Sequence, residues 1–383
     1  MTPVILTTRA LPYADLMARD TLARTAARLP HGARSAPQRR TAGPAVKVTF
    51  HRRPPDQAQF VRRTVQVLFL LLNLWIGARF FFFVRFYETG GHSVWVPRPP
   101  GVEGWLPIAA LMNLKYFLLT GLVPEVHAAG LFLLVAFLAI TFVARKAFCS
   151  WLCPVGTISE WLWQGGREIV GRSVAAPRWL DIPLRGLKYL LMGFFLYAVT
   201  GMSAAEIKAF VQSPYGMVAD VKMLNFFRHL GGTAAVVIAL LVVGSVFVKN
   251  LWCRYLCPYG ALLGLVSLVS PVRIRREASA CTDCARCARA CPSMLPVDRL
   301  VSVASAECTG CLECVTVCPS QGALRLAAGR SRAIPTWAVA TAIAVLFLGA
   351  VGYARVMGHW ETPVPDAVYR ELIPAADALA HPR

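Results

Sequence analysis

The chain has 383 residues, 56% of them hydrophobic and only 16% charged, with a mean hydropathy of +0.52. An ordinary soluble domain has about a quarter of its residues charged, so this composition argues against one. The 40 Lys+Arg against 20 Asp+Glu give a formal charge of +20. A nucleic-acid binder would carry such an excess on a polar surface; combined with this much apolar sequence, it points to a lipid bilayer and not to nucleic acid.

Residues 1–63 read as a basic arm, Arg/Ala/Pro-rich and mostly disordered, with twelve Lys/Arg and three acids. No apolar run follows its start, so it is not an ordinary signal peptide. Arg62-Arg63 precedes an apolar segment too long and too aromatic for a cleaved export signal, and that segment reads as an anchor. Five segments approach the ~20 apolar residues that cross a hydrocarbon core: 64–84, 128–144, 187–205, 230–248 and 334–354. A sixth, 104–121, is interrupted by Pro107, Asn113 and Lys115 and reads as interfacial or re-entrant.

Charge sorting supports that reading. With 104–121 not crossing, 1–63, 145–188 and 249–333 share one side and hold 30 Lys/Arg, while the opposite side holds 9. The acids divide 11 and 9, leaving +19 on one face and zero on the other. Cationic loops stay cytoplasmic, so the N-terminus and every cysteine are expected inside and the C-terminus in the periplasm.

The chain also contains a duplication. KAFCSWLCPVGT at 146–157 matches NLWCRYLCPYGA at 250–261, each closing a two-helix unit. The pairs Cys149/Cys153 and Cys253/Cys257 sit four apart, one helical turn, so each can present two thiols in one direction. Arg145, Lys146, Lys249 and Arg254 are expected to favour thiolates. Two uses stay open for this set: an additional metal centre, or a dithiol redox relay.

The twelve cysteines all fall in spaced clusters, unlike the scattered cysteines of a disulfide scaffold. Cys281-x2-Cys284-x2-Cys287-x3-Cys291-Pro is followed by Cys308-x2-Cys311-x2-Cys314-x3-Cys318-Pro. This is the spacing for two 4Fe–4S clusters, in which the fourth cysteine of each run serves the other cluster. Cys281, Cys284, Cys287 and Cys318 are therefore expected on one cluster, and Cys308, Cys311, Cys314 and Cys291 on the second. It is not a zinc-ribbon spacing. Residues 271–276 and 323–327 read as the strands flanking the ferredoxin core.

No histidine lies deep in a span, which disfavours haem b at mid-membrane. His127 and His229 are expected as anchors near the periplasmic interface. Arg79 lies inside the first span, a functional candidate by default, close enough to the end to snorkel or to meet a quinone headgroup. The run of four Phe at 80–83 reads as lipid-facing or packing. No nucleotide-binding or acyl-transfer motif is visible, and neither haem nor flavin is assigned.

With CSWLCPVG, CRYLCPYG and the tandem cysteine run between spans, residues 60–355 resemble the membrane-bound polyferredoxin family. Its members include the NapH-type quinol dehydrogenase subunit, the NosR/NirI type and the CcoG-type oxidase accessory protein. Residues 98–121 and the fifth span lean toward the NosR type, but the basic arm stands where that type carries a periplasmic flavin domain, so covalent FMN is not carried over. The resemblance implies electron transfer between a quinol or cytoplasmic donor and a periplasmic reductase of the nitrate or nitrous oxide type, or its electron-transfer subunit. Copper reduction during enzyme assembly and redox sensing are the alternatives.

The fold class expected is mainly α: a polytopic bundle of about five spans with a small cytoplasmic α+β two-cluster ferredoxin domain. Its parts are an arm (1–63), a membrane domain (64–268), a ferredoxin domain (269–332), and a fifth span with its tail (333–383).

Overall fold

The computed structural model describes residues 57–171, 174, 176–329 and 332–382. The expected arm lies outside these residues except for its last seven, and those seven change its boundary. The first helix, α1 (Ala58–Glu88), starts six residues before the expected span and takes in Arg62 and Arg63. At 31 residues it is about 46 Å long, more than the hydrocarbon core needs.

The fold is mainly helical and is that of a membrane protein. Among the described residues, three helices are long and apolar enough to cross a bilayer: α1, most of α5 (Arg178–Gly201) and α9 (Thr336–Val356). A bent pair there, α6 (Ala219–Arg228) and α7 (Gly232–Phe247), which meet at 80°, would make a fourth span. The expectation of five spans is thus met in part. The segment at 128–144 forms α3 (Ala128–Ala144), whose 17 residues fall just short of a span. Its length is fixed by left-handed or irregular backbone at both ends, His127 at φ 57° and Arg145 at φ 62°.

Burial explains why α3 is apolar all round. It sits at the centre of the bundle, packed by α9, by α2 (Pro107–Thr120) and by α8 (Pro258–Leu268). Leu133, Phe137 and Ile140 are buried there. Its duplicate α7 is peripheral: Val236, Val237, Leu240 and Val243 are exposed, and only Ser245 is buried. α1 likewise turns Leu68, Leu71, Leu74 and Trp75 outward. Apolar side chains on the outer surface of long helices are what a bilayer solvates.

The segment 104–121 gives α2, at 14 residues about 21 Å long and too short to cross. Its polar residues are used internally. Lys115 Nζ donates to the carbonyls of Val199 and Thr200 at the end of α5, and Asn113 Nδ2 donates to those of Val126 and His127.

The ferredoxin strands appear where expected. β1 (Val272–Arg276) and β2 (Leu324–Ala328) pair antiparallel, Val272 opposite Ala328 and Arg276 opposite Leu324, and a two-residue β3 (Arg332–Ala333) extends the sheet. One core runs without interruption from Phe137 and Ile140 of α3, through Phe148 and Trp151, to Ile274, Leu324 and Leu326 of the sheet. The ferredoxin unit is built onto the membrane bundle.

Candidate electron-transfer site

The two CxxCxxC loops share an unusual backbone. The residues on either side of the second cysteine have positive φ in both: Asp283 (49°) and Ala285 (55°) around Cys284, Gly310 (64°) and Leu312 (63°) around Cys311. Three of these four are not glycine, and left-handed backbone is costly for them, so it persists only where the surroundings impose it. Each loop then enters a short helical turn, Arg286–Ala290 or Glu313–Thr316, carrying the third cysteine. Two loops of different sequence folded alike, each wrapping three thiols, fit a cubane cluster apiece.

Each fourth thiol has a cysteine neighbour on the other loop. Besides burial, which raises it to about 11, Cys287 feels Cys318 and Cys281. Burial also raises Cys291, whose thiol neighbour is Cys308. Cys314 is raised by burial and then by Cys311, Cys291 and Cys308, ahead of Cys287. The sets differ in depth: Cys308, Cys311, Cys314 and Cys291 are all buried, whereas Cys284 is exposed and Cys281 and Cys318 are half-buried. One set faces inward toward the membrane bundle and the other faces outward.

The inner loop is held by side chains of the bundle. Ser150 Oγ donates to Thr309 O (2.6 Å), Trp151 Nε1 to Gly310 O (3.2 Å), and Gln59 Nε2 to Cys311 O (2.9 Å). Arg145 donates to Ser305 O (2.7 Å), and Lys188 pairs with Glu307 (2.6 Å). Nothing in the sequence marked these residues as a docking surface, because their partners lie 119–252 positions away.

Both CxxxCP motifs fold alike, but not as α-helix. Phe148–Leu152 and Trp252–Leu256 are π turns, closed by Cys153 N–H to Phe148 O (2.9 Å) and Cys257 N–H to Trp252 O (3.0 Å). The wider turn corrects the expected α-helical spacing; such π turns recur at functional sites. Cys153 and Cys257 then cap the helices that begin at Pro154 and Pro258, and Gly260 N–H donates to Cys257 Sγ at 3.2 Å. The helix that begins at Pro154 is α4 (Pro154–Val170).

All four thiols line one cavity of about 600 Å³, together with Cys311 of the inner loop. The cavity continues between α1 and α9 along Phe69, Leu72, Phe347 and Val351 toward Arg79, Arg355 and Trp360. Among the described residues, no set of three or more His, Cys, Asp or Glu is spaced to hold a single metal ion.

The expected thiolate character is not found at Cys149 and Cys153. Burial pushes Cys149 up to about 11, Lys146 only partly offsetting it, and burial with the neighbouring Cys149 pushes Cys153 up to about 12. The other cations are engaged elsewhere: Arg145 on the Ser267 and Ser305 carbonyls, Lys249 on the Arg289 carbonyl, Arg254 on Asp181.

His127 is no interfacial anchor. It is buried, its Nε2 lies 2.8 Å from Gly216 O, and its Nδ1 lies 3.5 Å from Glu103 Oε1. Arg98 bridges Glu103 and Asp220 in the same cluster. Both ring nitrogens are thus engaged, leaving none for haem. His229 is exposed, 3.8 Å from Asp377. Arg79 lies over Trp75 and at the far end of the cavity. Of the Phe run, Phe80 and Phe83 are packed inside and Phe82 faces out.

Comparison with known proteins agrees with this geometry. A 4Fe-4S binding domain model matches residues 126–173 and again 230–277, the two CxxxCP repeats. A 4Fe-4S dicluster domain model matches 273–330. YccM of Escherichia coli (strain K12), a candidate electron transport protein, is 49% identical over 326 residues, 84% of this chain and 91% of YccM. The chain belongs to the membrane polyferredoxin family. Among more distant members, the methylamine utilization ferredoxin-type protein MauN of Methylorubrum extorquens is 33% identical over 50% of this chain and 62% of its own length. The regulatory protein NosR of Pseudomonas aeruginosa is 30% identical over 49% of this chain, but that match covers only 26% of NosR. No solved structure matches. As a member of this family, the chain is a membrane protein with 4Fe–4S binding domains that serves iron–sulfur electron transfer.

Proposed function

We propose that this chain moves single electrons between an outward-facing cluster, an inward-facing cluster and a redox reaction at the four CxxxCP thiols in the membrane. Cys281, Cys284, Cys287 and Cys318 would hold the outer cluster; Cys308, Cys311, Cys314 and Cys291 would hold the inner. Such clusters, when bound, take up and release one electron at a time. The observation that carries the reading is the cavity shared by Cys311 and all four repeat thiols, which brings the inner loop and the thiols to one space.

The chain's residues do the positioning. Ser150, Trp151 and Gln59 fix the inner loop, and the two π turns aim both thiol pairs into the cavity. The apolar stretch between α1 and α9 suits a quinol whose ring lies at the thiols and whose tail follows Phe69 and Phe347. The charge sorting favours a bacterial cytoplasmic membrane location, with the N-terminus and cysteines inside and the C-terminus in the periplasm. Electrons would then reach a periplasmic respiratory reductase or its electron-transfer subunit. Four clustered soft thiols also support a second reading, reduction of a soft metal ion such as copper.

The test is anaerobic purification with iron and sulfide counts, followed by quinol-driven reduction monitored by EPR. About eight irons are expected for two cubanes, and a larger count would place a further centre on the CxxxCP set. Replacing Cys149 and Cys153 by Ser should leave dithionite reduction intact and abolish reduction by quinol. Unchanged quinol reduction would end the role assigned to these thiols, and reduction of Cu(II) that depends on them would favour the second reading.

A further inference from the structure

Arg62 belongs by sequence to a basic arm, yet its side chain is fully buried, at 0% exposure. Its guanidinium is engaged on every side. Nη1 and Nη2 grip Glu160 of α4 at 2.7 and 2.6 Å, Nη2 reaches Glu313 at 3.0 Å, and Nη1 donates to Ser150 O at 3.2 Å. Nε donates to Gln59 Oε1 at 2.8 Å, which turns the Gln59 amide so that Nε2 donates to the Cys311 carbonyl at 2.9 Å. One cation thus joins α1, α4, a π turn and the inner CxxCxxC loop.

Cohesion alone does not account for a charge in this place. Removing two charges from water is costly, and apolar residues of equal volume often hold such a junction as well or better. What a buried cation adds is its field. A cluster gains one negative charge on reduction, and a fixed positive charge nearby in a poorly screened interior stabilises that form.

We propose that Arg62 is a positioning residue for the inner cluster: held by Glu160 and Glu313 beside the Cys308–Cys314 loop, its charge raises that cluster's reduction potential and makes it the favoured electron acceptor of the pair. The link to the loop is short: Arg62 Nε donates to Gln59 Oε1, and Gln59 Nε2 donates to the Cys311 carbonyl. The adjacent Arg63 is exposed and serves as a control.

The inference deepens the electron-transfer reading and rests on its assignment of the inner cluster. The experiment is an EPR-monitored redox titration of the purified full chain and of single variants. Arg62→Gln should shift the inner cluster about tenfold toward the oxidised form, about 59 mV lower for one electron. Glu160→Gln, which removes one of the two opposing carboxylates, should shift it the other way, and Arg63→Gln should leave it in place. Arg62→Lys keeps the charge but loses the fork, and should stay near the native potential. Unmoved potentials with both clusters present overturn the inference, as do shifts of the same sign in Arg62→Gln and Glu160→Gln. Should Arg62→Gln lose its cluster, the other two decide: an unshifted Glu160→Gln, or Arg62→Lys shifted away from the native potential, overturns the proposal. Absence of any inner-cluster signal in the native chain would instead remove the assignment beneath it.

Discussion

A Cβ built on Gly156 would meet the Cys149 carbonyl oxygen at 2.2 Å, and that oxygen is backbone that cannot swing away. The first turn of α4 lies directly on the π turn that carries the thiols. Gly156→Ala must therefore push the helix off the turn, an overpacking cost of about 1–3 kcal/mol. The equivalent Gly260 is roomier, its Cβ falling 3.4 Å from the Cys257 sulfur. Thermal unfolding in detergent should show Gly156→Ala clearly destabilised and Gly260→Ala much less; equal effects would mean the two repeats are not packed as described. His127 and Glu103 allow a second prediction at this scale. Burial works against the charged form of Glu103, but Arg98 and His127 outweigh it and hold the carboxyl at about 2, below its usual 4.5. A lowered folded pKa contributes stability above 4.5 that is lost as pH falls toward 2. His127 is shifted up, its burial outweighed by Glu103 and Asp220, so its contribution is full below 6.5 and lost as pH rises through the folded pKa. Glu103→Gln should flatten the acid limb of a stability–pH curve and weaken the alkaline one; an unchanged curve would exclude this cluster as its source.

At the scale of elements, much of the site was legible because its signals are local. The spacing of Cys281–Cys291 and Cys308–Cys318 sets the loops, and the strands follow from the Val272–Arg276 and Leu324–Ala328 patterns. The duplication was readable too, and it extends to the i→i−5 hydrogen bonds of both π turns. What composition could not reveal is which copy of a repeat is central. α3 and α7 are similarly apolar, yet one is enclosed by α2, α8 and α9 while the other packs against α4 and leaves most of its surface exposed, a difference made by contacts far away in sequence. Arg62 was misplaced for the same reason, since a cation reads as solvent-facing until Glu160 and Glu313 are seen beside it. Asp181 is another such case. At the start of α5 it is gripped by Arg254 at 2.9 Å through both carboxylate oxygens and receives the Tyr255 hydroxyl at 2.8 Å, tying the helix to the second π turn. Asp181→Ala strands the buried Arg254 and should cost about 3–5 kcal/mol. Loss of thermal stability together with altered reactivity of Cys253 and Cys257 is the expected result; an unchanged melting temperature would show that Arg254 finds another partner.

Across the whole molecule, the charges and the caps form one pattern. The end of α1 is closed by the C-terminal tail: Tyr369 packs edge-on against Phe83, and Thr362 donates to Glu103 at 2.7 Å. Lys222 of α6 donates to the Ala376 and Leu379 carbonyls, and Asn225 to Asp377. This end uses its few charges in internal pairs, whereas the cysteine end carries the surplus of Lys and Arg. A bilayer between the two ends would hold the surplus in the cytoplasm by the cationic bias of membrane insertion. Two exposed positions can report on it, Val94 at 69% near the capped end and Arg299, 80% exposed on the ferredoxin unit. In intact cells, a membrane-impermeant thiol reagent should label Val94→Cys and leave Arg299→Cys unlabelled until the membrane is opened. Labelling of Arg299→Cys but not of Val94→Cys in intact cells would invert the topology. The outer cluster would then face the periplasm, and electrons would enter the molecule from the opposite side of the membrane.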